Sequence, residues 1–179
     1  MNNGAIVQSE KYTITIPAFK NIPQLILDIS KIKEGENRFL EAKIVNGATY
    51  SDLEYCFNEG YRQAKKHLST VMYQIAMAKK AIRQVKSEYL LDKYPDFLKE
   101  NRIKDSTATK EAYLEKKEEY VAALDRLALL NSLECLLEGK VKVFENVCRF
   151  MRKEIDLQIR SGNIDKYGRI IWMVKKPGR

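Results

Sequence analysis

The stretch that decides the fold is YRQAKKHLSTVMYQIAMAKKAIRQVKSEY, residues 61–89. Its apolar residues recur at alternating gaps of three and four: Tyr61, Ala64, Leu68, Val71, Ile75, Ala78, Ile82, Val85 and Tyr89. This spacing places them on one side of an α-helix and is typical of a coiled-coil seam. The sequence therefore predicts a long central helix that begins near Ser51 or Asp52, where a side chain can cap it, and is ended by Pro95.

A second long helix is predicted to follow, capped by Ser106 or Thr107 and terminated at Ser161-Gly162-Asn163. Its later part is apolar on two sides. One stripe consists of Leu127, Leu130, Leu137, Val141, Phe144, Cys148, Met151 and Ile155, and the other of Leu133, Leu136, Val143, Val147, Phe150 and Leu157. Because a two-helix hairpin covers only one such stripe, the second predicts packing against the N-terminal elements, against another subunit, or against both.

Shorter patterns flank these helices. The alternating segments KYTITIPAF (11–19) and GRIIWMVKK (168–176) predict two short strands that pair with each other or with a neighbouring subunit. PQLILDISKIKE (23–34) predicts a short helix. NRFLEAKIV (37–45) fits a third strand, and its pattern fits a helix nearly as well.

The predicted fold class is mainly α: a long antiparallel, coiled-coil-like helical hairpin with a short N-terminal helix and a small β element built from the chain termini. The regions are a strand and short-helix region at 1–50, the hairpin at 51–161, and a basic strand or tail at 162–179. We expect them to form one compact domain, since the chain has 179 residues and 45% of them are hydrophobic.

Charge gives the first indication of function. The chain has 32 Lys and Arg against 24 Asp and Glu, a formal net charge of +8, which favours an acidic partner such as nucleic acid. Residues 62–86 carry seven of these cations and no acidic residue. On the heptad they fall on one side of the helix: Arg62, Lys65, Lys66, Lys79, Lys80, Arg83 and Lys86.

The sequence allows two kinds of partner for this basic stripe. Repulsion between neighbouring cations costs about 0.2–0.5 kcal/mol per pair, which an external anion or an acidic neighbouring helix would offset. The anion would be the phosphates of a single-stranded nucleic acid. The acidic helix would be the start of the second helix, with Glu111, Glu115, Glu118 and Glu119.

The last 40 residues repeat the basic signal, with eleven cations against four acids, or net +7. Lys142, Arg149, Lys153 and Arg160 share one helix face. Cations then surround two rings, Tyr167 and Trp172, in a mixture that is typical of single-stranded nucleic-acid sites, although Trp172 fits the core of a small sheet as well. The predicted nucleic-acid-binding residues are Arg62, Lys65, Lys66, Lys79, Lys80, Arg83, Lys86, Arg149, Lys153, Arg160, Lys166, Arg169, Trp172, Lys175 and Lys176.

The sequence offers little for catalysis. His67 is its only histidine and is expected to have a surface or packing role, and no phosphate-binding or metal-binding motif is present. Cys56, Cys135 and Cys148 lie in apolar helical patterns and are expected to be small buried side chains in a reducing compartment. We therefore expect no catalytic residue, no metal and no cofactor. Without an apolar run or a leader pattern, we also expect a soluble, cytoplasmic protein that makes no use of a membrane.

The segment from Lys104 to Ser161 resembles a known family. In EYVAALDRLALLNSLECLLEGKVKVFENVCRFMRKEIDLQIRS (119–161), Asp125, Cys148 and Ile159-Arg160-Ser161 are similar to the layout of the UvsY-type recombination mediators of tailed phages. The resemblance covers about a third of the chain. It implies a ring-forming, non-enzymatic homo-oligomer in the cytoplasm of a bacterial host. Such a protein binds single-stranded DNA and helps a RecA-like recombinase to displace the single-strand-binding protein.

Two functions follow as expectations. The first is a single-stranded DNA-binding (or RNA-binding) accessory factor of phage recombination or replication. The alternative is a virion or scaffold assembly protein, a helical oligomer whose basic stripe binds an acidic protein partner.

Overall fold

The computed structural model describes residues 12–41 and 47–161, and 82% of them are helical. The order of elements is β1 (Thr13–Ile16), β2 (Leu25–Asp28), α1 (Ser30–Glu41), α2 (Gly47–Glu88), a π-helical turn (Tyr89–Lys93), α3 (Tyr94–Asn101), α4 (Thr107–Glu115) and α5 (Glu118–Arg160). The mainly α prediction, with long helices and a small antiparallel sheet, is confirmed.

The sheet differs from the prediction in its second strand. β1 pairs with β2, so Leu25–Asp28 is a strand where the sequence predicted the start of a helix. Leu25 and Leu27 are buried and Ile26 is exposed, which is the two-residue period of a strand. The helix begins only at Ser30, whose backbone N–H donates to Oδ1 of Asp28 at 2.9 Å. The predicted strand at 168–176 lies outside the described residues.

A tight turn stands at the tip of this hairpin. Phe19 and Ile22 exchange backbone hydrogen bonds of 2.9 and 2.8 Å across the two residues between them. Lys20 adopts a left-handed conformation there, with φ of 46°, as such short connections require. The turn thereby fixes the position of the Lys20 side chain.

Two predicted boundaries of the central helix are wrong. α2 begins at Gly47, so Ser51 and Asp52 lie within the helix and do not cap it. Pro95 does not end the helical path either. The N–H of Tyr94 donates to the carbonyl of Tyr89 in a π-helical turn, and α3 follows with Pro95 in its first turn. A proline is tolerated there because the first N–H groups of a helix have no partner within it.

The second predicted helix is broken once. Ser106 caps its start, accepting a hydrogen bond from the N–H of Thr109 at 3.1 Å, as predicted. At the break between α4 and α5, the Lys117 ammonium lies 4.2 Å from the centre of the Tyr113 ring. α5 then runs without interruption to Arg160, and Ser161 follows as a turn.

The chain forms two compact units, and α2 and α5 contribute to both. Within the described residues, the first unit comprises 12–13, 28–41, 47–66 and 138–161. In it the rings of Phe57 and Phe144 are buried, with centroids 6.5 Å apart. Gly60 lies against Phe144, which leaves no room for a side chain at position 60. The predicted domain boundaries remain a prediction.

The second unit comprises residues 14–27 and 67–137. Val71 and Val85, two residues of the predicted seam, are fully buried in its core, as are Leu114 and Leu130. The seam is thus buried at these two positions, as predicted. His67 is also buried. Of its two predicted roles, surface or packing, the burial favours packing. Cys135 is exposed, against expectation, while Cys56 and Cys148 are half-buried.

Candidate nucleic-acid interface

All seven cations of the predicted stripe on α2 are exposed, but they belong to different units. Arg62, Lys65 and Lys66 lie in the first unit. There Nη1 of Arg62 bonds Oε1 of Glu59 at 3.0 Å, and the Lys65 ammonium lies 5.6 Å from the centre of the Tyr61 ring. Arg62 and Lys65 are thus already engaged by neighbours on their own helix, and Lys66 has an interaction partner as well.

The other four cations form a surface of their own, here named the α2 basic face: Lys79, Lys80, Arg83 and Lys86. At 3.6 residues per turn they fall within an arc of about 120°. The opposite side of the helix carries buried residues such as Ala78 and Val85. Across the part of the chain that the structure describes, none of the four forms an ion pair. The α2 basic face therefore presents four uncompensated charges to solvent.

Two exposed side chains extend the α2 basic face toward the N-terminus of α2. Tyr73 is 63% exposed and Met72 is 54% exposed. Tyr73 lies seven residues before Lys80, and Met72 lies seven residues before Lys79. Two turns of helix separate the members of each pair, so both lie on the same side of α2. Tyr73 was not among the predicted binding residues, although its position away from the seam and its seven-residue spacing from Lys80 could have identified it. A ring among cations is suited to stacking on a nucleobase.

Other aromatic rings of the second unit are less accessible. The ammonium groups of Lys93 and Lys117 lie 4.8 and 5.9 Å from the centre of the Tyr89 ring. Tyr94 and Tyr113 are buried in a cluster. Tyr73 is thus the better placed ring for a ligand on the α2 basic face.

Glu119, one of the acidic residues considered as a partner for the stripe, forms an ion pair with Lys20 instead. Oε1 of Glu119 lies 2.7 Å from the Lys20 ammonium, and Oε2 of Glu88 lies 2.9 Å from it. Hydrogen bonds raise the pKa of Lys20, the bond with Glu119 more than the bond with Glu88. The bond between Lys20 and Glu119 also lowers the pKa of Glu119. Within residues 12–41 and 47–161, no ion pair joins the α2 basic face to Glu111, Glu115, Glu118 or Glu119.

A groove of about 510 Å³ opens beside the α2 basic face. Lys20, Asn21 and Ile22 of the hairpin tip line one side, and α2 lines the other with Lys80 and Gln84 among its residues. Lys80 thus belongs to both the groove and the α2 basic face. The amides of Asn21 and Gln84 can donate and accept hydrogen bonds, as the edges of nucleobases require.

The predicted C-terminal cations divide in two. Arg149, Lys153 and Arg160 are exposed on α5 in the first unit, together with Lys142. They face away from Phe144, Met151 and Ile155, which are buried. The remaining predicted residues lie outside the described residues: Lys166, Arg169, Trp172, Lys175 and Lys176.

Protein-family models, curated proteins and solved structures offer no match to this chain. The functional assignment therefore rests on the residues themselves. Among the described residues no group of three or more His, Cys, Asp and Glu side chains could hold a metal ion. In the same residues no helix has both the length and the apolar character needed to span a bilayer.

Proposed function

We propose that this protein is a non-enzymatic accessory factor that binds single-stranded nucleic acid, DNA in the first place, through the α2 basic face. The observation that carries this proposal is that Lys79, Lys80, Arg83 and Lys86 are exposed together without an ion pair in the described chain. Four like charges within two turns of helix repel one another, and phosphates would offset that repulsion.

Tyr73 supplies the preference for a single strand. The bases of a duplex are stacked on each other, whereas those of a single strand are free to stack on a protein ring. The groove beside Lys80 offers room for a neighbouring base. Because one ring and two amides cannot distinguish base sequences, we expect binding with little sequence preference.

The resemblance of residues 104–161 to recombination mediators supports a role in phage recombination or replication. In that role a homo-oligomer would hold single-stranded DNA and help to load a RecA-like recombinase in place of the single-strand-binding protein. The test is a filament-assembly assay with those two proteins. No acceleration by the present protein would reject the mediator role, and binding to the oligonucleotide would then stand alone.

The binding experiment measures the fluorescence anisotropy of a labelled oligothymidylate over a range of salt concentrations. If four phosphates are neutralised, the logarithm of the affinity should fall with the logarithm of the salt concentration with a slope of about −3. The triple variant Lys79→Glu, Lys80→Glu and Arg83→Glu should lose binding and retain its helix content by circular dichroism.

The matched control makes a similar change of charge elsewhere in the second unit, with Lys99→Glu, Lys104→Glu and Lys116→Glu. These three residues are also exposed and lie off the α2 basic face. If both triple variants lose affinity equally, binding reflects net charge, and the assignment to this face fails. An acidic protein that binds the same face while oligonucleotides do not would favour the assembly function instead.

A further inference from the structure

A row of apolar side chains is exposed on α5 in the first unit. Val143, Phe150 and Leu157 are 46%, 55% and 49% exposed and are spaced by seven residues. This spacing places them on one side of the helix, and they are named here the α5 apolar row. Apolar residues that line up in this way mark an interaction surface more often than isolated ones do.

A row of cations runs beside the α5 apolar row. Lys142, Arg149, Lys153 and Arg160 fall within an arc of about 40° at 100° per residue. Over residues 12–41 and 47–161 none of them is in an ion pair. Glu138 and Asp156 are the acidic residues of α5 that lie closest to this arc, each about 20° outside it, and both are exposed. The face as a whole therefore combines an apolar strip with a strip of net positive charge.

The α5 apolar row leads into a groove of about 370 Å³. Phe39 and Leu40 of α1 line it together with Val143 and Val147 of α5. Leu40 is 80% exposed, an unusual exposure for a leucine. Lys33 and Lys140 stand at the rim of the groove, and both bond Glu36. An apolar floor with a charged rim is typical of sites that accept the apolar side chains of a peptide.

Three occupants fit this face poorly. If the same row of a second copy packed antiparallel on this one, the strip that contains Lys153 and Arg160 would face the same strip of that copy, which is a repulsive seam. Residues 162–179 of the chain carry five cations and one acid, or net +4, so they have the same sign of charge. A nucleic acid would meet the cations, but Val143 and Leu157 have no ring for base stacking.

An acidic amphipathic helix satisfies both strips at once. Its apolar residues would cover the α5 apolar row and enter the groove, while its carboxylates would face the neighbouring cations. We infer that this face of α5 docks an acidic amphipathic segment of another protein. The docking face lies in the first unit and does not depend on nucleic-acid binding by the second.

The experiment uses the full chain and two fluorescein-labelled peptides of equal composition. One carries leucine at the first and fourth positions of each heptad and glutamate at the flanking positions, and the other carries the same residues shuffled. The amphipathic peptide should bind and the shuffled one should not. The variant with Phe150→Ser and Leu157→Ser should lose at least tenfold in affinity, as should that with Arg149→Glu and Lys153→Glu.

Matched variants in the second unit serve as controls. Leu91→Ser with Ile103→Ser removes two exposed apolar side chains there, 73% and 42% exposed, and should leave peptide affinity unchanged. Equal binding of the shuffled peptide would overturn the inference, as would full affinity in the Phe150→Ser, Leu157→Ser variant. Two other results would also overturn it, each with no binding of the amphipathic peptide. If the solution mass falls in the Phe150→Ser, Leu157→Ser variant, the occupant is a second copy of this chain. If oligonucleotide affinity is lost on Arg149→Glu and Lys153→Glu, the occupant is a nucleic acid.

Discussion

Nη2 of Arg126 donates a hydrogen bond of 3.2 Å to Oε1 of Gln74, and both side chains are buried, with 5% and 7% of their surface exposed. The same nitrogen donates to the backbone carbonyl of Pro23 at 3.1 Å. Nε and Nη1 of Arg126 have no partner in the described part of the chain. Burial lowers the pKa of this guanidinium. One cation thus joins α2, α5 and the hairpin in the second unit, at a cost in desolvation.

Gln74→Leu should lower the free energy of unfolding by about 1–3 kcal/mol, because it removes an acceptor from a buried charge. The double variant Gln74→Leu, Arg126→Met should recover most of that loss, since it removes the charge as well. Urea unfolding followed by circular dichroism measures both. A double variant less stable than Gln74→Leu would mean that the Pro23 contact outweighs the desolvation of Arg126.

Two helical glycines should respond to alanine in opposite directions. A Cβ at position 60 would lie 2.7 Å from Cζ of Phe144 and 3.2 Å from the carbonyl oxygen of Lys31, whereas one at Gly139 would meet nothing within 4 Å. Gly60→Ala should therefore destabilise the protein by about 1 kcal/mol, since overpacking exceeds the gain in helix propensity.

Gly139→Ala is the matched control and should stabilise by about 0.5–1 kcal/mol. The midpoints of thermal unfolding should accordingly move apart. A shift of the same sign in both variants would show that Phe144 can move away from position 60.

Lys20→Met should reduce stability in a pH-dependent manner. The pKa of Glu119 is lowered below its ordinary value of 4.5 by Lys20, so this contribution is complete above that pH and is lost as the pH falls through the lowered value. The free energies of unfolding of wild type and variant should therefore differ by a constant amount near neutral pH and become equal at acidic pH. The difference should be small, because both carboxylates that pair with Lys20 are partly exposed.

The control for Lys20→Met is Lys86→Met, which removes an exposed lysine that has no ion pair in the described structure. Denaturant unfolding at several pH values compares the two. A Lys20→Met difference that persists at acidic pH would assign the stabilisation to the apolar part of the Lys20 side chain.

Tyr73→Ala should weaken binding to single-stranded oligonucleotides by about fivefold or more without changing the salt dependence, because stacking involves no released counterion. Tyr55→Ala changes a tyrosine of nearly equal exposure, 65% against 63%, in the first unit and should have no effect. Anisotropy titrations at two salt concentrations measure both quantities. A reduced salt slope in Tyr73→Ala would indicate that the ring positions a cation instead of stacking.

The sequence alone predicted the elements that depend on neighbours along the chain. The spacing of Ala64, Val71, Ala78 and Val85 determines which side of α2 is buried, since a helix has a fixed period. Ser106 could be recognised as a cap because its acceptor lies three residues from the N–H group that it binds. The exposure of Lys79, Lys80, Arg83 and Lys86 follows from the same period.

Only the tertiary structure decided features that join residues far apart. Leu25–Asp28 is a strand because β1 offers it a hydrogen-bonding partner, although LILD also suits a helix. Glu119 pairs with Lys20 and not with the α2 basic face because the hairpin tip brings that lysine to it. Charge and period thus determined where the cations point, whereas the approach of distant segments determined which of them kept their charge uncompensated.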